Sequence, residues 1–212
     1  MTLIVRAIVR ARDADRLAPG LIAIRQGDVA AVASALEERV APDEPALRAH
    51  HAIASAIHDA GPSLPSRFGQ VFADEAAVAN ALDARGAELA TALESVGDRV
   101  ELSVTLRWRV EIARDDTPAA TGSDYLRSRA VRERERLDAD RAVDRMVAIL
   151  ASERPLVRHR SCPREGVAAI VALLIDRDRA RAVIERVDAF ASVDGSVTAE
   201  VHGPMPPYTF AS

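Results

Sequence analysis

One long alternating segment in the second half of the chain places the strongest constraint on the fold. Apolar side chains occupy every second residue from position 100 to position 112, with Glu, Ser, Thr and Arg between them. They are Val100, Leu102, Val104, Leu106, Trp108, Val110 and Ile112. A period of two is that of a β-strand with one buried and one solvated face. We therefore expect a long strand in an antiparallel sheet that is covered on one side.

The segments after this strand predict two helices and three further strands. Helical spacing covers about 123–151 and 177–191, and strand-like runs cover about 156–159, 168–175 and 196–202. The run 167–175 is apolar without alternation, which is typical of a central strand. The resulting order, βαββαβ, is that of the ferredoxin-like arrangement, in which two helices cover one face of an antiparallel sheet.

The first half of the chain predicts a separate α+β unit. Strands are expected at about 3–9, 21–24 and 29–35, with Gly27 in the turn, and helices follow Pro42 and Asp74. A brief strand is expected at 66–72. We place the boundaries so that residues 1–97 form an N-terminal α+β domain and 98–203 a ferredoxin-like domain. Residues 204–212 form an extended Pro/aromatic tail that docks on the protein.

Composition restricts the possible partners and the compartment. The net charge is -4 and the pI is near 5.8, which provides no long-range attraction for nucleic acid or an anionic membrane. The longest apolar run is far shorter than the roughly 20 residues of a membrane-spanning helix. Arg6 and Arg10 interrupt the apolar run that a secretory signal would need near the start of the chain. Cys162 is the only cysteine, so no internal disulfide can form. We expect a cytoplasmic protein with no nucleic-acid or membrane partner.

Catalytic and metal-binding patterns are absent from the sequence. His50, His51 and His58 lie on the first predicted helix without the HExxH spacing of a metal site, so exposed or capping histidines are favoured. Cys162 has His159 and several arginines nearby but sits in a predicted hairpin loop, so an incidental cysteine is favoured over a nucleophile. Neither GxGxxG nor GxxxxGK[ST] occurs. We expect no catalytic residue, no cofactor and no metal.

The densest charge run of the chain, residues 127–145, lies in the long predicted helix. Pairs such as Arg134 with Asp138 and Arg136 with Asp140 fall four residues apart and indicate a solvated face. The middle of this helix lacks a full apolar stripe. It is therefore expected to project from the sheet or to meet a polar partner surface.

Two segments carry a resemblance to a known family. Residues 64–72, LPSRFGQVF, resemble the LPxRFGxVF core of the gas vesicle F/L family, and residues 203–210, GPMPPYTF, resemble its C-terminal GPWPPYSF. Ser66, Gln70 and Met205 depart from the family pattern. The motif residues, structural or partner-binding, are Leu64, Pro65, Arg67, Phe68, Gly69, Phe72, Gly203, Pro204, Pro206, Pro207, Tyr208 and Phe210.

The resemblance implies a two-lobed α+β protein that binds the small gas vesicle shell protein. Such an assembly factor or minor structural component would prevent aggregation of the shell subunit, work in the cytoplasm and on the gas vesicle, and meet other accessory proteins. It would not be an enzyme. The motifs are expected to be structural, with the tail between the lobes and Arg67 paired with a carboxylate or carbonyl. Alternatives are a small-ligand-binding regulator or enzyme on the ferredoxin-like scaffold, or a scaffold that self-assembles through edge strands.

Overall fold

A computed structural model describes residues 1–16, 19–36, 41–110, 121–164 and 166–211, with only the backbone described at 16 and 161–164. The chain divides into two compact units, one formed by Met1–Val100 with Met205–Ser212 and the other by Glu101–Pro204. Each unit contains helices and an antiparallel sheet, so the α+β class predicted from the sequence is confirmed. Among the described residues, no helix combines the length and apolarity needed to span a membrane.

The N-terminal unit contains five strands and two helices. Its strands are β1 (Leu3–Arg10), β2 (Ile22–Gln26), β3 (Val29–Ala35), β4 (Ser63–Pro65) and β5 (Val71–Phe72). The sheet order is β2-β3-β1-β4, and β5 also pairs with β1. The helices are α1 (Glu44–Ala60) and α2 (Glu75–Val96). Gly27 has a φ of 56° in the β2–β3 turn, as the hairpin pattern predicted.

Both faces of the N-terminal sheet are covered. Ala7, Val9, Ala30 and Val32 form one buried cluster with Ile57 of α1. The alternate residues of β3 are equally buried, and α2 contacts β1, β2 and β3. Because successive strand residues point to opposite faces, a strand buried at five successive positions, as β3 is at residues 29–33, must be covered on both sides there. This explains why β3 shows no polar alternation in the sequence.

The brief strand predicted at 66–72 is present only in its last two residues. β4 ends at Pro65 and β5 begins only at Val71, so residues 66–70 form a loop between two short strands. Gly69 has a φ of 87° within this loop, a left-handed conformation that side-chain-bearing residues rarely adopt. The loop therefore leaves the sheet and returns to it within one sequence motif.

The C-terminal unit has the βαββαβ order predicted from the sequence. Its elements are β6 (Arg99–Trp108), α3 (Gly122–Ile149), β7 (Leu156–Arg164), β8 (Val167–Asp176), α4 (Ala180–Val193) and β9 (Val197–Met205). The sheet order is β7-β8-β6-β9. β8 is thus a central strand, as its uninterrupted apolar run indicated, and α3 packs against β7, β8 and α4.

Two predicted extended segments end earlier than expected. β6 ends at Trp108, Val110 lies in a bend, and Ile112 falls outside the described residues. In the tail, the backbone N–H of Tyr208 donates to the Pro206 carbonyl at 2.8 Å, and that of Phe210 donates to the Pro207 carbonyl at 3.1 Å. The tail therefore turns after its paired prolines and does not continue in the extended path predicted from them.

Asp194 closes the connection between α4 and β9. Its Oδ1 accepts from the backbone N–H of Ser196 at 2.8 Å and of Val197 at 3.1 Å, and its Oδ2 accepts from Arg145 of α3 at 3.0 and 2.8 Å. Burial alone would raise the pKa of Asp194, but a hydrogen bond from the Ser196 hydroxyl at 2.6 Å, together with those above, holds it well below its ordinary value. The charged carboxylate thus joins α3 to the start of β9.

Candidate functional site

Two consecutive residues of α1 contact the two motif segments of the sequence. The ring of His50 packs edge-on against Phe68, with centroids 5.6 Å apart and an interplanar angle of 83°. The ring of His51 lies 5.8 Å from that of Tyr208, and its Nδ1 is 3.2 Å from the tyrosine hydroxyl. Both motifs therefore meet at one turn of one helix, within the N-terminal unit.

The protonation of His50 follows from its two hydrogen-bond partners. Its Nδ1 lies 3.0 Å from Nη1 of Arg6, and its Nε2 lies 2.8 Å from the carbonyl oxygen of Ser66. A guanidinium can only donate and a carbonyl can only accept. Nδ1 therefore accepts, Nε2 carries the proton, and the ring is neutral. This neutral ring links β1 to the first motif.

The surroundings of His50 also hold it in the neutral form. The residue is only 3% exposed, and this burial lowers the pKa of His50. The nearby charge of Arg6 and the neighbouring His51 lower it further, while the hydrogen bond to the Ser66 carbonyl acts in the opposite direction. All of these hydrogen bonds can therefore form at neutral pH. Protonation of the His50 ring in acid works against them.

The first motif is a loop anchored on β1 at both ends. The Ser66 N–H donates to the Arg6 carbonyl and the Val5 N–H donates to the Gln70 carbonyl, each at 2.9 Å. Leu64, Pro65 and Ser66 are buried, whereas Phe68 and Phe72 are half-buried. The apolar residues of this motif hold the loop in place, and residues 67, 69 and 70 face solvent.

Arg67 does not make the pairing expected from the sequence. Its side chain is exposed, and no hydrogen bond or ion pair engages it within the described residues. Arg6, which the sequence did not identify as a site residue, makes partly buried contacts instead, donating to His50 and to the Ser34 hydroxyl. The guanidinium of Arg67 is therefore available to another molecule.

The second motif begins with a glycine that no other residue can replace without strain. Gly203 has a φ of 122°, and a Cβ at this position would lie 2.7 Å from the backbone oxygen of Glu101. Pro206 and Pro207 are buried, and Tyr208 and Phe210 are half-buried. The prolines thus anchor the tail, while the tyrosine ring reaches the surface beside His51.

Exposed apolar side chains border this meeting point. Leu47 is 46% exposed and precedes His51 by one helical turn, so the two side chains are neighbours on the surface of α1. Tyr208 contacts His51 from the tail. We call the surface formed by Leu47, His51 and Tyr208 the α1 face. It combines apolar area with hydrogen-bonding groups.

The expectation of exposed or capping histidines is wrong for two of the three residues. His50 and His58 are both buried, and only His51 is exposed. His58 lies 3.0 Å from the Arg99 carbonyl through Nε2 and 3.1 Å from the Ser63 hydroxyl through Nδ1. These contacts serve structure. Helical spacing from Ile53 and Ile57 could have indicated that His50 faces inward.

The described residues contain no candidate metal-binding site. Among them, no group of three or more His, Cys, Asp or Glu side chains could hold a metal ion. His159 is exposed and lies 3.5 Å from Asp140. The side chain of Cys162, the candidate nucleophile weighed from the sequence, lies outside the described residues.

Comparisons with known proteins agree with the motifs. The family model for "Gas vesicle synthesis protein GvpL/GvpF" matches residues 8–212. Gas vesicle protein F of Streptomyces sp. strain CB03234 is 28% identical over 87% of this chain and 85% of its own length. Gas vesicle protein L of the same organism is 30% identical, covering 89% and 82%.

Solved structures show the same fold. The crystal structure of GvpF from Anabaena sp. PCC7120 matches with a TM-score of 0.74 at 17% identity, covering 100% of this chain and 98% of that one. The crystal structure of GvpF from Microcystis aeruginosa matches with a TM-score of 0.78 at 15% identity, covering 100% and 99%. The family match over residues 8–212 and the 30% identity to a gas vesicle protein L show that the chain belongs to the gas vesicle synthesis protein GvpL/GvpF family.

Proposed function

We propose that this protein serves gas vesicle synthesis by binding the small gas vesicle shell protein and preventing its aggregation before assembly. In this role it is an assembly factor or minor structural component, active in the cytoplasm and at the growing vesicle beside other accessory proteins, and not an enzyme. The observation that supports the proposal is the meeting of both family motifs at His50 and His51 of α1.

The physical reason is the chemistry of the shell. A wall that holds gas and excludes liquid water needs an apolar inner face, so its free subunit exposes apolar area or strand edges that would self-associate. A partner that covers this area must itself present apolar groups and satisfied polar ones. The α1 face does so with Leu47, His51 and Tyr208, and Arg67 adds an exposed guanidinium from the neighbouring motif. Tyrosine and arginine are typical of energetically important interface positions.

Co-purification with the shell subunit tests the proposal. The small shell protein from the same gene cluster is co-expressed with a tagged form of this chain, and its retention is measured together with the light scattering of the lysate. We expect the unaltered chain to retain the subunit and to lower scattering. We expect Leu47→Asp combined with Tyr208→Ala to reduce retention about tenfold or more, since both changes remove contact area from the α1 face.

A matched substitution controls for nonspecific effects. Val193 is the last residue of α4 and is 82% exposed, so Val193→Asp places the same charge on an apolar position far along the chain from the α1 face. This variant should retain the shell subunit as well as the unaltered chain does. If the unaltered chain fails to retain it where a related GvpF succeeds, the binding function is refuted. Equal retention by all variants would refute the assignment of the α1 face.

A further inference from the structure

The first half of α3 extends beyond the body of the C-terminal unit. The buried residues of α3 are Glu135, Ala139, Ala142, Val143 and Met146, and none of them precedes the middle of the helix. From Gly122 to Arg134 every residue is exposed except Asp124, which is half-buried. These residues span about 20 Å of helix at 1.5 Å per residue. A helical segment of this length without packing is only marginally stable by itself, so it depends on its continuity with the packed half.

This projecting half carries apolar side chains that the fold does not use. Tyr125, Leu126 and Val131 are all more than half exposed, and Leu126 reaches 64%. Leu126 and Leu137 are eleven residues apart, about three turns, so they share the side of α3 opposite its buried residues. A helix that shows large apolar groups on its solvent side is suited to packing against another surface.

The same segment is positively charged. Residues 122–134 contain four arginines against one aspartate and one glutamate, a net charge of +2 in a chain whose net charge is -4. The pair expected between Arg134 and Asp138 is not formed, because Asp138 pairs with Arg141 at 2.9 Å. Arg136 does pair with Asp140, at 3.4 Å. Within the described residues, Arg132 and Arg134 have no ion-pair partner, so their charges are open to a neighbouring molecule.

The negative charge of the chain lies in the other unit. The residues of the N-terminal unit include ten arginines against fourteen aspartates and glutamates, whereas the C-terminal unit has eighteen of each. Within the N-terminal unit, α2 carries Glu75, Asp83, Glu88 and Glu94 against Arg85, and all four carboxylates are exposed. Asp83 and Glu94 are eleven residues apart, the same spacing as the leucines of α3, and face the same side of α2.

From this complementarity we infer that the occupant of the projecting half of α3 is a second copy of the chain, bound through the acidic surface of its α2. Arg132 and Arg134 meet carboxylates such as Asp83 and Glu94, and Leu126 adds apolar contact between the helices. The contact joins two different surfaces, so it is heterologous, and repetition gives either a closed ring or a growing row of copies. It uses neither the α1 face nor the shell subunit and is independent of the proposed function.

Sedimentation velocity on the purified full chain tests the inference. Concentration-dependent association is expected at about 0.05 M NaCl and should weaken about tenfold or more at about 0.5 M, because salt screens exposed charges. Arg132→Glu with Arg134→Glu should abolish association at low salt. Asp83→Arg with Glu94→Arg should abolish it as well, since each change places like charges across the contact.

Mixing the two reversed chains separates a direct contact from damage to the fold. The acidic α3 of one variant then faces the basic α2 of the other, so the mixture should associate although neither variant does alone. Arg160→Glu with Arg181→Glu makes the same charge change at exposed positions of β7 and α4 and should leave association intact. A chain that sediments as a single copy at every concentration at low salt would refute the inference. So would reversed variants that associate alone or a mixture that does not.

Discussion

The network around His50 provides a quantitative test of the candidate site. Replacing His50 with alanine removes the donor of the Ser66 carbonyl and the acceptor of the Arg6 guanidinium. Each polar group left without its partner costs about 1–3 kcal/mol, with the lower end appropriate for the half-buried Arg6. Loss of the ring contact with Phe68 costs about 1 kcal/mol more. We expect His50→Ala to lower the free energy of unfolding by about 4 kcal/mol.

Glutamine at this position separates hydrogen bonding from ring packing. The amide of His50→Gln can donate to the Ser66 carbonyl, and its oxygen can accept from Arg6, so the cost should fall to about 1–2 kcal/mol. Urea unfolding followed by far-ultraviolet circular dichroism measures both variants, because the single tryptophan, Trp108, lies in the other unit. A loss below about 1 kcal/mol for the alanine variant would contradict the network.

The same residue predicts a dependence of stability on pH. Because the pKa of His50 is lowered in the folded protein, the unfolded chain binds a proton first as the pH falls below about 6.5. The contribution of the neutral ring is therefore complete above this pH and is lost as the pH falls towards the folded pKa, by at most about 1.4 kcal/mol per pH unit. His50→Gln should show a smaller loss between about pH 7.5 and pH 5.5. Equal pH dependence in both proteins would refute the lowered pKa of His50 and its neutral form in the folded protein.

Three further substitutions test the rest of the structure. Asp194→Asn keeps the oxygen that caps β9 and loses only the Arg145 contact, so thermal unfolding should show a loss of stability of about 1 kcal/mol, against about 3 for Asp194→Ala. Both losses, measured against the unaltered protein, should shrink as the pH falls below about 4, because the unfolded chain then binds a proton that the folded carboxylate, with its lowered pKa, resists. Gly203→Ala should lower the free energy of unfolding by about 3 kcal/mol or more, because its Cβ would clash and its backbone would be strained. Gly86→Ala, in open space on α2, should instead raise the free energy of unfolding by about 0.5–1 kcal/mol, as measured in urea. Tyr208→Phe removes the hydroxyl that lies 3.2 Å from Nδ1 of His51 and should lower the free energy of unfolding by about 1 kcal/mol in calorimetry.

Much of the fold could be predicted because its signals are local. The period of two in β6, the apolar run of β8 and the helix 74–96 each lie within one segment, and each predicted element is present. The turn at Gly27 could be predicted because a positive φ depends on the type of a single residue. The two motifs identified the family in the same way, since each is a short run of residues. Even the errors are local, because the turn at Gly69 was hidden by apolar residues on both sides of it.

The contacts that hold the two motifs against the fold are made between residues that are distant in the chain. Arg6 and His50 are 44 positions apart, and His51 and Tyr208 are 157 apart, so no window of sequence contains either contact. The sequence by itself determined the elements, their order and the family. Only the tertiary structure decided that His50 is a neutral bridge, that Gly203 has no room for a side chain, and that Arg67 stays unpaired among the described residues. Periodicity records which side of an element is buried, but the partner that covers it depends on the path of the whole chain.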